Sequence, residues 1–271
     1  MMIKFVASDL DGTLLLNGAQ GLDTHVYDLV ERMHERGILF AAASGRQYAN
    51  MKRMFGPVWD KMLFISENGG VALYKDRAIH KSVIPRNLML KLSHEIMASK
   101  DCELLLCGQE ACYLLPGRGA YTDWILSTVR NTVAVLDAPE QVNEDIVKVS
   151  LYVHGDGIAA VAADFSGWSR YFNVAISGKE WVDFNLSTKG SVIRMLRDKL
   201  GLERDEMMAF GDNFNDEHML LAVEHSYTME HASPPVRRMS KHHCARVESV
   251  LETLLAGHPG FTGAARFETL L

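Results

Sequence analysis

The chain has 271 residues, nearly half of them hydrophobic, and a net charge of −6. That length suits one large domain or two medium ones with a real core, and the acidic balance argues against nucleic acid as the main partner. No segment approaches the roughly 20 consecutive apolar residues of a membrane span, and the start, MMIKFVASDLDG, turns acidic too soon for a signal peptide.

In chain order, the first apolar run, MIKFVAS, stops at Asp9, with Asp11, Gly12 and Thr13 just beyond it. DTHVYDLVERMHERG follows with Val26, Leu29, Val30 and Met33 at helical spacing; Asp23 or Thr24 can cap its start, and Gly37 can close its end. GILFAAAS then ends at Ser44, before Gly45, Arg46 and a helical stretch, RQYANMKRMF. MLFIS ends at Glu67, Asn68 and two glycines. Short continuous apolar runs with polar ends fit strands buried on both faces of a parallel sheet.

From about Ser82 to Glu180 the pattern changes. Strand-like stretches (CELLLCG, ACYLLP, NTVAVLD, VKVSLYVHG) come in succession, with helical ones (RNLMLKLSHEIMAS, GIAAVAADFSGW) among them, as in an antiparallel α+β insert. The first pattern returns with KGSVIRMLRDKLG, whose stripe is Val192, Ile193, Leu196 and Leu200, and with MMAFG, which ends at Asp212. The expected fold is therefore α/β: a doubly wound, Rossmann-like parallel sheet over 1–81 and 182–271, with an inserted α+β cap over 82–181. In such sheets ligands bind outside the carboxyl ends of the strands, so Asp9, Asp11, Ser44 and Asp212 should converge on one crevice.

Two carboxylates at the end of a buried strand repel each other and lose hydration. A bound cation offsets this most simply. Oxygen ligands without histidine or cysteine favour Mg²⁺, with Asp9, Asp11 and Asp212 as its residues. Capping aspartates in turns are the bland alternative, but D-x-D-G-T and G-D-N-x-N-D at two separate strand ends favour the site. Ser44 offers a hydroxyl, and the amides around Ser44 and Gly45 open a helix, a natural anion site. The cysteines show no C-x-x-C pairing: Cys102, Cys107 and Cys112 stand five apart and Cys244 alone, as buried small hydrophobes rather than zinc ligands or disulfides. Reduced thiols suit the cytoplasm. His218, His225, His231, His242 and His243 read as solvated surface, and the leucines and methionines of LMLKL and HMLL as core.

At these residues the chain resembles the haloacid dehalogenase superfamily of phosphatases. Asp9-Leu10-Asp11-Gly12-Thr13 is similar to the first motif, Ser44-Gly45-Arg46 to the second, Lys189-Gly190 to the third, and Gly211-Asp212-Asn213-Phe214-Asn215-Asp216 to the fourth. With Ser66-Glu67-Asn68-Gly69-Gly70, their order is similar to that of the Cof-type sugar-phosphatase branch, which carries a large α/β cap between motifs two and three.

The resemblance implies that Asp9 is a nucleophile forming an aspartyl-phosphate, and that Asp11 protonates the leaving oxygen and then activates water. It implies Mg²⁺ held by Asp9, the Asp11 carbonyl and Asp212, with phosphate bound by the Leu10 amide, Ser44, Gly45, Lys189 and Asn215. Lys189 opens a helix, where its charge opposes the dipole, which fits a role toward phosphate. Asp216 supports Lys189 or a metal-bound water. Arg46 is open to a role at the substrate or a structural one. The implied activity is hydrolysis of small phosphorylated metabolites, sugar phosphates foremost. Transfer to a second acceptor, as in a phosphomutase, and a non-catalytic metal-binding regulator are the alternatives. The chain departs from the family pattern at Met229-Glu230-His231-Ala232, and at Glu248-Ser249-Val250 where an Asp-Gly-Val segment is usual; the physiological substrate, the cap residues that select it (with Arg118, Tyr121 and Trp124 in view) and the oligomeric state stay open.

Overall fold

The computed structural model describes residues 2–99, 102–116, 121–125, 132–177, 180–257, 267 and 270. Arg118 lies outside them. Five strands come first: β1 (Phe5–Ser8), β2 (Leu39–Ala43), β3 (Leu63–Ser66), β4 (Val71–Tyr74) and β5 (Arg77–Lys81). Six more form a separate sheet: β6 (Cys102–Cys107), β7 (Cys112–Leu114), β8 (Val133–Val135), β9 (Lys148–Val153), β10 (Asn173–Ser177) and β11 (Trp181–Asn185). The chain then adds β12 (Met207–Gly211), β13 (His225–Met229) and β14 (His242–Cys244).

The larger sheet has the order β14-β13-β12-β1-β2-β3-β4-β5. Its strands are parallel from β14 to β3, and β4 and β5 close the far edge antiparallel. β1, β2, β3 and β12 are buried along their whole length, which is why they read as unbroken apolar runs. Val6, Phe40 and Phe64 face one layer, with Val26, Leu29 and Met33 of the helix Thr24–Glu35 and Leu251 of the helix Val247–Gly257. Phe5, Ala7, Leu39 and Ala41 face the other, against Val192, Ile193 and Leu196 of the helix Lys189–Leu200. Helices thus cover both faces of the sheet.

The local signals explain the helix ends. Asp23 accepts from the His25 amide at 2.9 Å, and Gly37 takes a positive φ while its amide donates to the His34 carbonyl and that of Ile38 to Met33. This is a Schellman close. Thr188 and Ser191 form a reciprocal capping box at the start of Lys189–Leu200.

The smaller sheet, order β10-β11-β9-β6-β7-β8, is antiparallel except for the β7–β8 pair and packs against the helix Arg86–Ala98. The architecture is a doubly wound core with an inserted α+β cap. No disulfide joins the four buried cysteines. Among the described residues no helix is long and apolar enough to cross a membrane. Four of the histidines expected at the surface, His218, His231, His242 and His243, are exposed and His225 is half-buried. Met219 and Leu220 are core, but Leu221, expected with them, is exposed because the short helix Glu217–Leu220 ends there and turns it outward.

The helix Lys189–Leu200 can approach the segment after β12 only because its second residue is Gly190. A Cβ there would stand 2.0 Å from the His218 carbonyl oxygen. Gly190→Ala is expected to destabilise the fold by about 3 kcal/mol, read as a lowered urea midpoint at unchanged slope.

Candidate active site

The strand order places β1 between β12 and β2. Successive connections leave β1 in opposite directions, so a crevice opens at its carboxyl end. Asp9 follows β1, Ser44 follows β2, Glu67 follows β3 and Asp212 follows β12. Asp9, Asp11, Ser44, Gly45, Arg46 and Asn215 line one cavity of about 800 Å³, which the cap roofs with Leu105, Ile125, Lys148, Ser150, Trp181 and Asp183.

Behind Asp9, outside the cavity's lining, the fully buried Lys189 donates to Asp9 Oδ1 at 2.5 Å and to Asp216 Oδ1 at 2.7 Å. The other oxygen of Asp216 accepts from the amides of Asp212 (3.0 Å) and Asn213 (3.2 Å), so this carboxylate is committed on both sides. Thr13 donates to Asp212 Oδ1 at 2.8 Å. Gly12 has φ +86°, and a Cβ on it would lie 2.3 Å from Asp212 Oδ2. Only glycine lets the chain after Asp11 turn back beside this carboxylate.

Burial, followed by repulsion from Asp216, pushes the Asp9 carboxyl well above the usual carboxylate range, against the pull of Lys189. Asp212 is raised for the same two reasons; Thr13, Lys189 and His231 act in the opposite sense. For Lys189, burial opposes the charge, but Asp216 and Asp9 together outweigh it and hold its pKa above the ordinary lysine value.

The carboxylates that converge are those of Asp9, Asp212 and Asp216, with oxygens within 4.8 Å of one another. Asp11 turns its carboxylate away, to a bidentate pair with Arg46 (Nε–Oδ2 2.8 Å, Nη2–Oδ1 2.6 Å). Of the Mg²⁺ residues expected from sequence, the side chains of Asp9 and Asp212 stand in this cluster and that of Asp11 does not. The donor set is all oxygen and suits a hard divalent cation. Lys189 occupies one oxygen of Asp9 and Thr13 one of Asp212, leaving the second oxygen of each for it.

Among the expected phosphate ligands, Ser44 Oγ accepts from the Arg46 amide at 3.2 Å, and Asn215 Nδ2 donates to Asn68 Oδ1 at 3.3 Å. Leu10 has a fully buried side chain one residue beyond Asp9. The sequence reading misses the cap's share of the cavity. Lys148 and Asp183, each nearly fully buried, come from β9 and β11. For both the signal is a charge inside a strand-like stretch, Asp183 in WVDFN and Lys148 in VKVSLYV.

The open parallel sheet with an acid cluster at the carboxyl end of its central strand defines the class. Residues 6–250 match the sequence model of the haloacid dehalogenase-like hydrolases, and the chain belongs to that family. Within it, the chain is a phosphatase of the Cof type. It is 22% identical over 245 residues to the 5-amino-6-(5-phospho-D-ribitylamino)uracil phosphatase of Escherichia coli strain K12, covering 89% of this chain and 90% of that one. Its fold superposes on a Streptococcus mutans UA159 protein, SMU.1108c, with TM-score 0.85 and 22% identity over 94% of this chain and 100% of that one. A haloacid dehalogenase subclass IIB sugar phosphatase matches with TM-score 0.78 and 16% identity over 92% and 98% of the two chains.

The raised carboxylates set a pH dependence. Protons compete with a cation for Asp9 and Asp212, so cation affinity falls on acidification, starting above the ordinary carboxylate range. In the cation-free fold the sign reverses. Folded pKa values above the unfolded ones contribute stability at low pH, lost as pH rises through the folded values. Any rise in melting temperature caused by a divalent cation should therefore shrink steadily from about pH 8 to about pH 5 in a thermal-shift series with Mg²⁺, while in the cation-free protein Asp9 and Asp212 add stability over the same range.

Proposed function

We propose that this phosphatase is an Mg²⁺-dependent phosphomonoesterase of small phosphorylated metabolites, sugar phosphates foremost, acting through an aspartyl-phosphate at Asp9. In this reading 1–81 and 182–271 form the catalytic core and 82–181 the cap, except that β11 (Trp181–Asn185) pairs within the smaller sheet, so the cap runs on to Asn185. The single observation that carries it is the Lys189 bridge between Asp9 and Asp216, beside Asp212. A buried carboxylate facing a cavity and positioned by a buried ammonium is placed to attack an electrophilic centre such as phosphorus.

Asp9 attacks phosphorus, and the bond to the leaving oxygen breaks as that oxygen takes a proton from Asp11. Asp11 then takes a proton from water, which attacks the acyl phosphate and frees Asp9 and inorganic phosphate. Ser44, the Leu10 and Gly45 amides, Lys189 and Asn215 hold the phosphoryl oxygens. Asp9, Asp212 and the Asp11 carbonyl hold Mg²⁺, which when bound neutralises charge between nucleophile and phosphoryl group. Asp216 keeps Lys189 in place. The bidentate Asp11–Arg46 pair, half-buried on the Arg46 side, must part for Asp11 to pass protons.

A cavity of about 800 Å³ is ample for a phosphoryl group with a sugar or polyol attached. The Escherichia coli relative, named for a phosphoribityl substrate, supports that class. Reduced, buried cysteines support the cytoplasm as its setting. With Mg²⁺ and p-nitrophenyl phosphate, Asp9→Asn should lower turnover by at least about 10³-fold and Asp11→Asn by about 10²-fold. An inert wild type, or an Asp9→Asn variant of equal activity, contradicts the reading. With a single sugar phosphate, an isomer appearing without free phosphate would identify a mutase.

A further inference from the structure

Two buried charges on the cap reach into the core. Lys148 Nζ donates to the Gly45 carbonyl oxygen at 2.8 Å, and lies 2.6 Å from Glu67 Oε2 and 4.0 Å from Asp183 Oδ2. Asp183 accepts from Ser150 Oγ at 2.5 Å and from Asn68 Nδ2 at 2.7 Å. Burying three charged groups at a domain seam costs more than apolar packing would, so stability is a poor reason for them.

Their partners supply a better one. The Gly45 carbonyl and the Arg46 amide are the two ends of one planar peptide unit, so fixing the first fixes the second. That amide donates to Ser44 Oγ at 3.2 Å. With its oxygen engaged, the Ser44 hydroxyl is left to donate its own proton. The second arm runs through Asn68. Asp183 only accepts, which sets the Asn68 amide nitrogen toward it and the Asn68 oxygen toward Asn215, whose Nδ2 donates to it at 3.3 Å. Asn68 also packs against Gly45, 3.2 Å from where a Cβ would sit. Each cap charge thus ends, through one intermediate group, on one candidate phosphate ligand.

We propose that Lys148 and Asp183 are positioning residues of the phosphate site: Lys148 orients Ser44 through the Gly45–Arg46 peptide, and Asp183 orients Asn215 through Asn68. Phosphate is gripped fully only when the cap is seated, which links closure to chemistry. This rests on the reading above that Ser44 and Asn215 hold the phosphoryl group.

The test measures inhibition by inorganic phosphate and kcat/KM for p-nitrophenyl phosphate in Lys148→Met, Lys148→Arg, Asp183→Asn and the double variant Lys148→Met/Glu67→Gln. Loss of either charge should weaken phosphate about tenfold and lower kcat/KM by about ten- to a hundredfold, with Lys148→Arg recovering most of it. The double variant removes the Glu67 charge together with its partner, while Asp183 keeps its Ser150 and Asn68 donors, and it should stay impaired. Recovery in the double variant would assign the defect to unpaired Glu67 and overturn the proposal. So would wild-type phosphate affinity in Lys148→Met and Asp183→Asn, even with a lowered melting temperature, which is what a merely structural seam predicts. Asp9-dependent turnover with unchanged Lys148→Met sinks this inference alone; a wild type without turnover sinks the catalytic reading, and phosphate binding by fluorescence or calorimetry still decides the positioning claim.

Discussion

Three carboxylates with oxygens inside 4.8 Å share one buried ammonium. Two like charges about 4 Å apart repel by about 4 kcal/mol at an effective dielectric of about 20, and burial adds a desolvation penalty to each. Lys189 answers part of that repulsion by lying between Asp9 and Asp216. The amides of Asp212 and Asn213 answer another part at Asp216. One ammonium for three carboxylates leaves a negative surplus at Asp9 and Asp212, the two groups whose pKa values are raised. The cluster is therefore stable enough to fold, and its surplus of negative charge leaves it poised for a cation.

The rest of the architecture serves that cluster. Asp9 and Lys189 are 180 positions apart in sequence, and Thr13 and Asp212 are 199 apart. Only a sheet that places β12 beside β1, with a helix crossing behind, brings them within hydrogen-bond reach. Gly12 and Gly190 are two of the places where close approach forbids a side chain, and each stands one residue after a site residue. The motifs are thus partly chemistry and partly the clearance chemistry needs.

Strand-end polar residues are legible from sequence because a buried apolar run that stops at a charge marks both the strand and its carboxyl end. The core strands and the convergence of Asp9, Ser44 and Asp212 follow from that pattern and from topology. β4 and β5 are not separated from the segment after Asn68, since an antiparallel edge uses the same residue types as a parallel interior. Asp11 illustrates a different limit: sequence puts it beside Asp9, but the side-chain direction depends on the Gly12 turn and on Arg46, 35 residues away. Lys148 and Asp183 are harder still. A lysine alternating with valines at the start of a strand resembles one on a solvated face, and Asp183 meets its Asn68 partner across 115 positions.

The central claim is that Asp9 takes the phosphoryl group. It is tested most directly by quenching the enzyme in acid during turnover, reducing any acyl phosphate with borohydride, and locating the modified residue by peptide mass spectrometry. The account predicts conversion of Asp9 alone to the reduced side chain, dependent on both Mg²⁺ and substrate. Modification at another residue, or continued phosphate release from an Asp9→Asn variant, would contradict it.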